Sequence, residues 1–181
     1  SIFYYLSLSI IFYNILTNNN FSKKKIFYFF LLTQIITLSW ITQSFYSGGI
    51  GYLFLGIILV GALSVFIALL LYSATILILV TFKKKLLQIF LLPLGLSIVE
   101  ILKEFIFGGF PWNPSAIIYY KNIWILKSLP FLGVYGLGLV IHLIVGLIIY
   151  FLYCKNKVVT FSLSSVLVLI YAFGFFENNT E

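Results

Sequence analysis

The chain has 181 residues, 62% of them hydrophobic and 8% charged, with a formal net charge of +7 and a mean hydropathy of +1.16. Soluble domains are about half apolar and about a quarter charged, and a short chain keeps much of its surface against its solvent; that solvent must here be largely hydrocarbon, which excludes a soluble globular domain. All eleven basic residues are lysines, most of them in Lys23–Lys25, Lys83–Lys85 and Lys155/Lys157 between apolar runs; there they meet anionic headgroups and do not form the solvated basic surface that nucleic acid requires.

Six apolar segments follow one another: 1–16, 26–46, 52–82, 86–107, 129–153 and 158–176. A membrane-crossing helix needs about 20 residues at about 1.5 Å each, and backbone groups in lipid must be satisfied within the segment. None of the six alternates with the period of two of a membrane barrel. The expected fold is therefore an all-α, multi-span transmembrane bundle of about six helices over residues 1–176. The first segment is short, the second, fourth and fifth have spanning length, the sixth is just long enough, and the third must tilt or project beyond the hydrocarbon. The chain opens on Ser1 and contains no methionine, which points to a piece of a larger protein. The first segment has no basic leader or small-residue cleavage site, so it does not read as a signal peptide.

Orientation follows from the lysines. With 17–25, 83–85 and 154–157 on the cytoplasmic side, loops 47–51 and 108–128 and the tail from Glu177 to Glu181 are external. Lys121 and Lys127 count modestly against this assignment.

The stretch with chemistry runs from Glu100 through Lys103 and Glu104 to Gly108-Gly109-Phe110-Pro111-Trp112-Asn113-Pro114. Glu100 and Lys103 are three residues apart and can pair on one helix face, and ionisable groups inside a membrane are functional candidates. The plainer reading of the pair is a structural ion pair that fixes helix packing, the sharper one a contact with substrate headgroups. Gly108-Gly109 frees the backbone to turn, and Pro111 and Pro114 end any helix. Phe110 and Trp112 serve either as an interface belt or as a lining for entering lipid.

At these residues the chain resembles the bacterial apolipoprotein N-acyltransferases. The resemblance rests on Glu100-Ile-Leu-Lys103, Gly109-Phe110-Pro111-Trp112-Asn113, Leu132-Gly133-Val134-Tyr135-Gly136-Leu137, and Ser39-Trp40-Ile41 with Gly48-Gly49; it covers roughly residues 30–176. Lys103 stands where the family usually has Arg, which removes a bidentate fork, and Gly138 stands where it usually has Ser. The resemblance implies an acyltransferase of lipoprotein maturation in the bacterial inner membrane, with the tail periplasmic. A phospholipid is the acyl donor and the diacylglyceryl-cysteine of a lipoprotein the acceptor, and no cofactor or metal takes part. It also implies that the catalytic Glu–Lys–Cys triad lies in an external nitrilase-like domain, so that 177–181 begins the linker to it and no catalytic residue lies in this chain. Glu100, Lys103, Gly109, Phe110, Pro111, Trp112 and Asn113 are then the candidate substrate-binding residues.

Elsewhere the plainer readings prevail. Cys154, at the expected cytoplasmic end of a helix without an acid or His nearby in sequence, reads as a small buried hydrophobe. His142 reads as a packed, hydrogen-bonded histidine, and Gly133, Gly136, Gly138 and Gly146 as close helix-packing surfaces. The competing functions are a small transporter or channel subunit and a membrane scaffold. A transporter would favour inverted repeats, of which the sequence has no trace.

Overall fold

The computed structural model describes residues 2–18, 21–109, 114–116, 123–154 and 165. These residues contain seven helices and no strand: α1 (Ile2–Thr17), α2 (Lys23–Leu38), α3 (Ile41–Tyr46), α4 (Ile50–Thr81), α5 (Lys85–Ile106), the single turn α6 (Ile123–Leu126) and α7 (Leu129–Cys154). The fold is thus all-α and of membrane type. By length and composition α4, α5 and α7 can cross a membrane, and α1 is a shorter apolar helix. Apart from Ser165, the expected sixth segment, 158–176, and the linker 177–181 lie outside the described residues.

The chain divides into two compact units, residues 20–77 and residues 1–19 with 78–181. In the first, α2 and α3 run antiparallel to α4: Phe27 meets Tyr72 edge-to-face at 5.9 Å, and a Cβ on Gly56 would stand 2.8 Å from the Phe45 side chain. The second apolar segment was expected as one helix over 26–46, but a tighter junction divides it. Ser39 and Trp40 keep right-handed backbone angles, while Thr42 and Gln43 donate three residues back instead of four, to Ser39 and Trp40. The hydroxyls of Ser39 and Thr42 also bond to carbonyls three residues back. Such side-chain bonding competes with the helical ladder, and it accompanies the break here.

At 32 residues α4 is about 48 Å long, more than the roughly 30 Å of hydrocarbon that a spanning helix crosses. Phe54, Ile58 and Leu77 project from it exposed, a surface that only lipid or protein can cover. Its buried Ser64 and Thr75 satisfy their hydroxyls on the carbonyls of Val60 and Leu71, 2.7 and 2.8 Å away.

In the second unit α5 packs on α7, and α1 packs against both. Gln88 secures the entry to α5 by donating its amide to the Leu79 carbonyl at 3.3 Å and to that of Phe82, two of the carbonyls a helix end leaves without partners. Pro93 sits inside α5; having no N–H, it leaves the Ile89 carbonyl without its helical donor. Gly146 of α7 lies against this place, where an added Cβ would stand 3.4 Å from the Ile89 oxygen and 3.5 Å from Pro93 Cγ. Gly138 likewise meets the Glu100 carboxylate. Contacts that climb α7 from 138 to 146 descend α5 from 100 to 89, so the two helices are antiparallel.

Of the four glycines expected at packing surfaces, Gly138 and Gly146 are there and the other two are not. A Cβ on Gly136 would meet only Leu132 of its own helix, and one on Gly133 would meet nothing. Gly133 instead breaks α7, with φ 66° and ψ 172°, a conformation essentially confined to glycine. Because the space around it is open, the penalty for a side chain there is purely one of backbone. Gly133→Ala is expected to cost about 1–3 kcal/mol, read as a lower thermal midpoint in detergent; an unchanged midpoint would show that the kink relaxes freely. Cys154 is also corrected: it is exposed, because it ends α7 beyond the seam with α5.

Candidate functional site

α5 places its chemistry at one end. Its 22 residues span about 33 Å, so the Lys83–Lys85 cluster before it and Glu100 and Lys103 in its last turns lie near opposite ends. Beyond Lys103 the helix closes in a Schellman motif. The Gly108 N–H donates to Phe105 and the Gly109 N–H to Glu104, the latter at 2.8 Å, with φ of 68° and 90° at the two glycines. The left-handed step that this motif requires falls on Gly108, and Gly109 follows with its own positive φ. Phe110, Pro111, Trp112 and Asn113 lie outside the described residues, so of the candidate substrate-binding set Glu100, Lys103 and Gly109 are placed.

Glu100 and Lys103 point into the bundle and interact electrostatically, as their spacing predicts. Lys103 is 5% exposed. Tyr4 from α1 and Tyr135 from α7 lie close enough to feel the Glu100 charge. Glu100 Oε1 also receives two donors from one residue, the backbone N–H of Ser115 at 3.0 Å and its hydroxyl.

Ser115 is the residue that sequence reasoning missed. It lies in the short turn 114–116, and its hydroxyl oxygen is 3.2 Å from Nε2 of His142, whose Nδ1 is 2.7 Å from the Ser97 hydroxyl. Its carbonyl accepts the Tyr5 hydroxyl at 3.3 Å. The next residue, Ala116, is buried with Leu137 and Ile141 of α7, and Tyr5, Ile125 and Leu129 pack around them. His142, 1% exposed, is therefore packed and hydrogen-bonded as expected, and the Tyr5 ring stands edge-on to it at 6.1 Å. A polar group in an apolar medium is costly without a partner, and this cluster supplies partners from α1, α5, α7 and the turn at once. Among the described residues no three His, Cys, Asp or Glu side chains gather to hold a metal ion.

The site is therefore a buried polar knot at the glycine-capped end of α5, set into an otherwise apolar bundle. It brings the carboxyl group of Glu100 and the amine of Lys103 together within that bundle. A family profile described as the apolipoprotein N-acyltransferase N-terminal domain matches residues 1–147. Comparison with curated proteins and with solved structures gave no match.

Proposed function

Since the chain belongs to the family of apolipoprotein N-acyltransferase N-terminal domains, we propose that it forms the membrane-embedded part of an enzyme that N-acylates lipoproteins in the bacterial inner membrane. The family match carries this reading. In the proposed reaction the acyl chain of a phospholipid passes first to a cysteine thiolate, forming a thioester and releasing the lysophospholipid. It then passes to the free α-amine of a diacylglyceryl-cysteine, which forms the amide and releases the thiol. A thiolate with a neighbouring base suits both steps, and the triad that supplies it belongs to an external nitrilase-like domain joined through 177–181. The bundle holds the acyl chains of both substrates and carries that domain.

Glu100 and Lys103 together with Gly109, Phe110, Pro111, Trp112 and Asn113 are assigned to the outer mouth, where lipid headgroups meet the bundle. The position of the charge pair far along α5 from Lys83–Lys85 supports this orientation, with the lysines cytoplasmic and the tail periplasmic. Depleting the full-length gene product is expected to leave mature lipoproteins with free α-amines, seen by mass spectrometry of their N-terminal peptides. Restoring the full-length gene is expected to return the third acyl chain. Undiminished N-acylation after depletion would contradict the assignment.

A further inference from the structure

At first sight Ser115 and His142 resemble a nucleophile and its base: a hydroxyl 3.2 Å from Nε2, with the other ring nitrogen held by Ser97 at 2.7 Å. The hydrogen-bond inventory reads the other way. Ser115 has one hydroxyl proton and two acceptors within reach, the imidazole and the Glu100 carboxylate. The same carboxyl oxygen already accepts the Ser115 N–H, and the hydroxyl stands nearer to it than to Nε2. The hydroxyl proton therefore goes to Glu100. The contact between Ser115 and His142 is then a hydrogen bond only if Nε2 carries a proton and donates it to the hydroxyl oxygen. A neutral imidazole has a single N–H, so Nδ1 is bare and accepts from the Ser97 hydroxyl.

We propose that Ser97, His142, Ser115 and Glu100 form a one-way hydrogen-bond chain, running in that order, that holds His142 as its Nε2–H tautomer and latches the 114–116 turn to α5 and α7. The latch uses every polar group of Ser115. Its N–H and O–H go to Glu100 of α5, its hydroxyl oxygen accepts from His142 of α7, and its carbonyl accepts from Tyr5 of α1. Backbone groups buried away from water must find partners, and Ser115 finds them on α5 for its N–H and on α1 for its carbonyl. His142 and Ser97 are thus positioning residues. The imidazole faces Ser115 as a donor and does not activate it as a nucleophile. The Schellman glycines and this latch secure the two flanks of the segment 110–113.

Because His142 is the sole histidine of the chain, nitrogen NMR reads the proposal without assignment. The chain labelled with ¹⁵N-histidine and reconstituted in lipid nanodiscs at neutral pH is expected to show one protonated ring nitrogen, identified by its carbon couplings as Nε2, and one bare nitrogen, Nδ1. In Ser97→Ala the Nδ1 resonance is expected to move toward that of an unbonded nitrogen. A proton on Nδ1, alone or on both nitrogens, would overturn the chain's direction. The latch has its own readout in a Cys154→Ser background carrying Ala116→Cys, where N-ethylmaleimide reports access to the turn. His142→Leu is expected to raise the labelling rate about tenfold, the factor set by one lost buried hydrogen bond, and His142→Gln, which keeps an N–H toward Ser115, to restore protection. Equal protection in His142→Leu and wild type would overturn the latch.

Discussion

Glu100→Gln and Lys103→Met are each expected to destabilise the bundle severely, and the double variant is expected to lie near wild type. Lys103 is almost wholly buried and shares a helical turn with Glu100, with which it interacts electrostatically. Removing one member of a buried pair leaves the other uncompensated, a loss of about 3–5 kcal/mol, whereas removing both is often neutral. Glutamine is the informative replacement at position 100. Its carbonyl oxygen still accepts from Ser115, so the experiment isolates charge from hydrogen bonding. The double-mutant cycle, followed by thermal or denaturant unfolding in detergent, should return a large coupling energy. Additive single effects would mean that the two charges are solvated separately and are not a pair.

The second large effect is expected at Gly138. A Cβ there would stand 3.0 Å from Glu100 Oε2, and Glu100 cannot readily withdraw, because Ser115 holds its other oxygen with two donors. Gly138→Ala is therefore expected to cost about 1–3 kcal/mol by overpacking, and Gly138→Leu to deplete the folded protein from the membrane. Gly138→Ser differs in kind, because its hydroxyl can donate to Oε2. A hydrogen bond to a charged group contributes about 1.5–3 kcal/mol and offsets the crowding. Folded yield and thermal midpoint should rank serine above alanine above leucine. A tolerated leucine, or serine no better than alanine, would show that the carboxylate moves freely. Serine is also the residue usual at this position in the family that the sequence resembles.

The apolar runs and the lysines between them made the helices legible, because the composition admits no other solvent. Glu100 and Lys103 stood out for the same reason, as charges where charges are expensive. The rest of the knot was not legible. Ser97 and Ser115 look like any of the hydroxyls that bond to their own helix, as Ser64 does, and nothing in their spacing says that they meet at His142. The histidine's environment was readable from its apolar neighbours, but its partners lie 27 and 45 residues away in sequence, beyond what any local period encodes. Gly133 misled because a glycine within an apolar run signals close packing and an unusual φ equally well. Cys154 misled because apolar neighbours in sequence do not say where a packed seam stops. The division of segment 26–46 lies in a local tightening of the backbone bonds at Thr42 and Gln43, which hydropathy does not register.

The proline in α5 has a consequence for how the bundle can move. Its missing donor strands the Ile89 oxygen, and α7 brings a residue without a side chain to that spot. Were α7 to slide one helical turn, about 5.4 Å, the ring of His142 or Tyr150 would arrive where a methyl group would already touch the Ile89 oxygen, Phe90 and Pro93 at 3.4–3.5 Å. The seam thus carries a detent: splaying or rocking leaves this contact free of larger side chains, whereas a one-turn shear drives a ring into it.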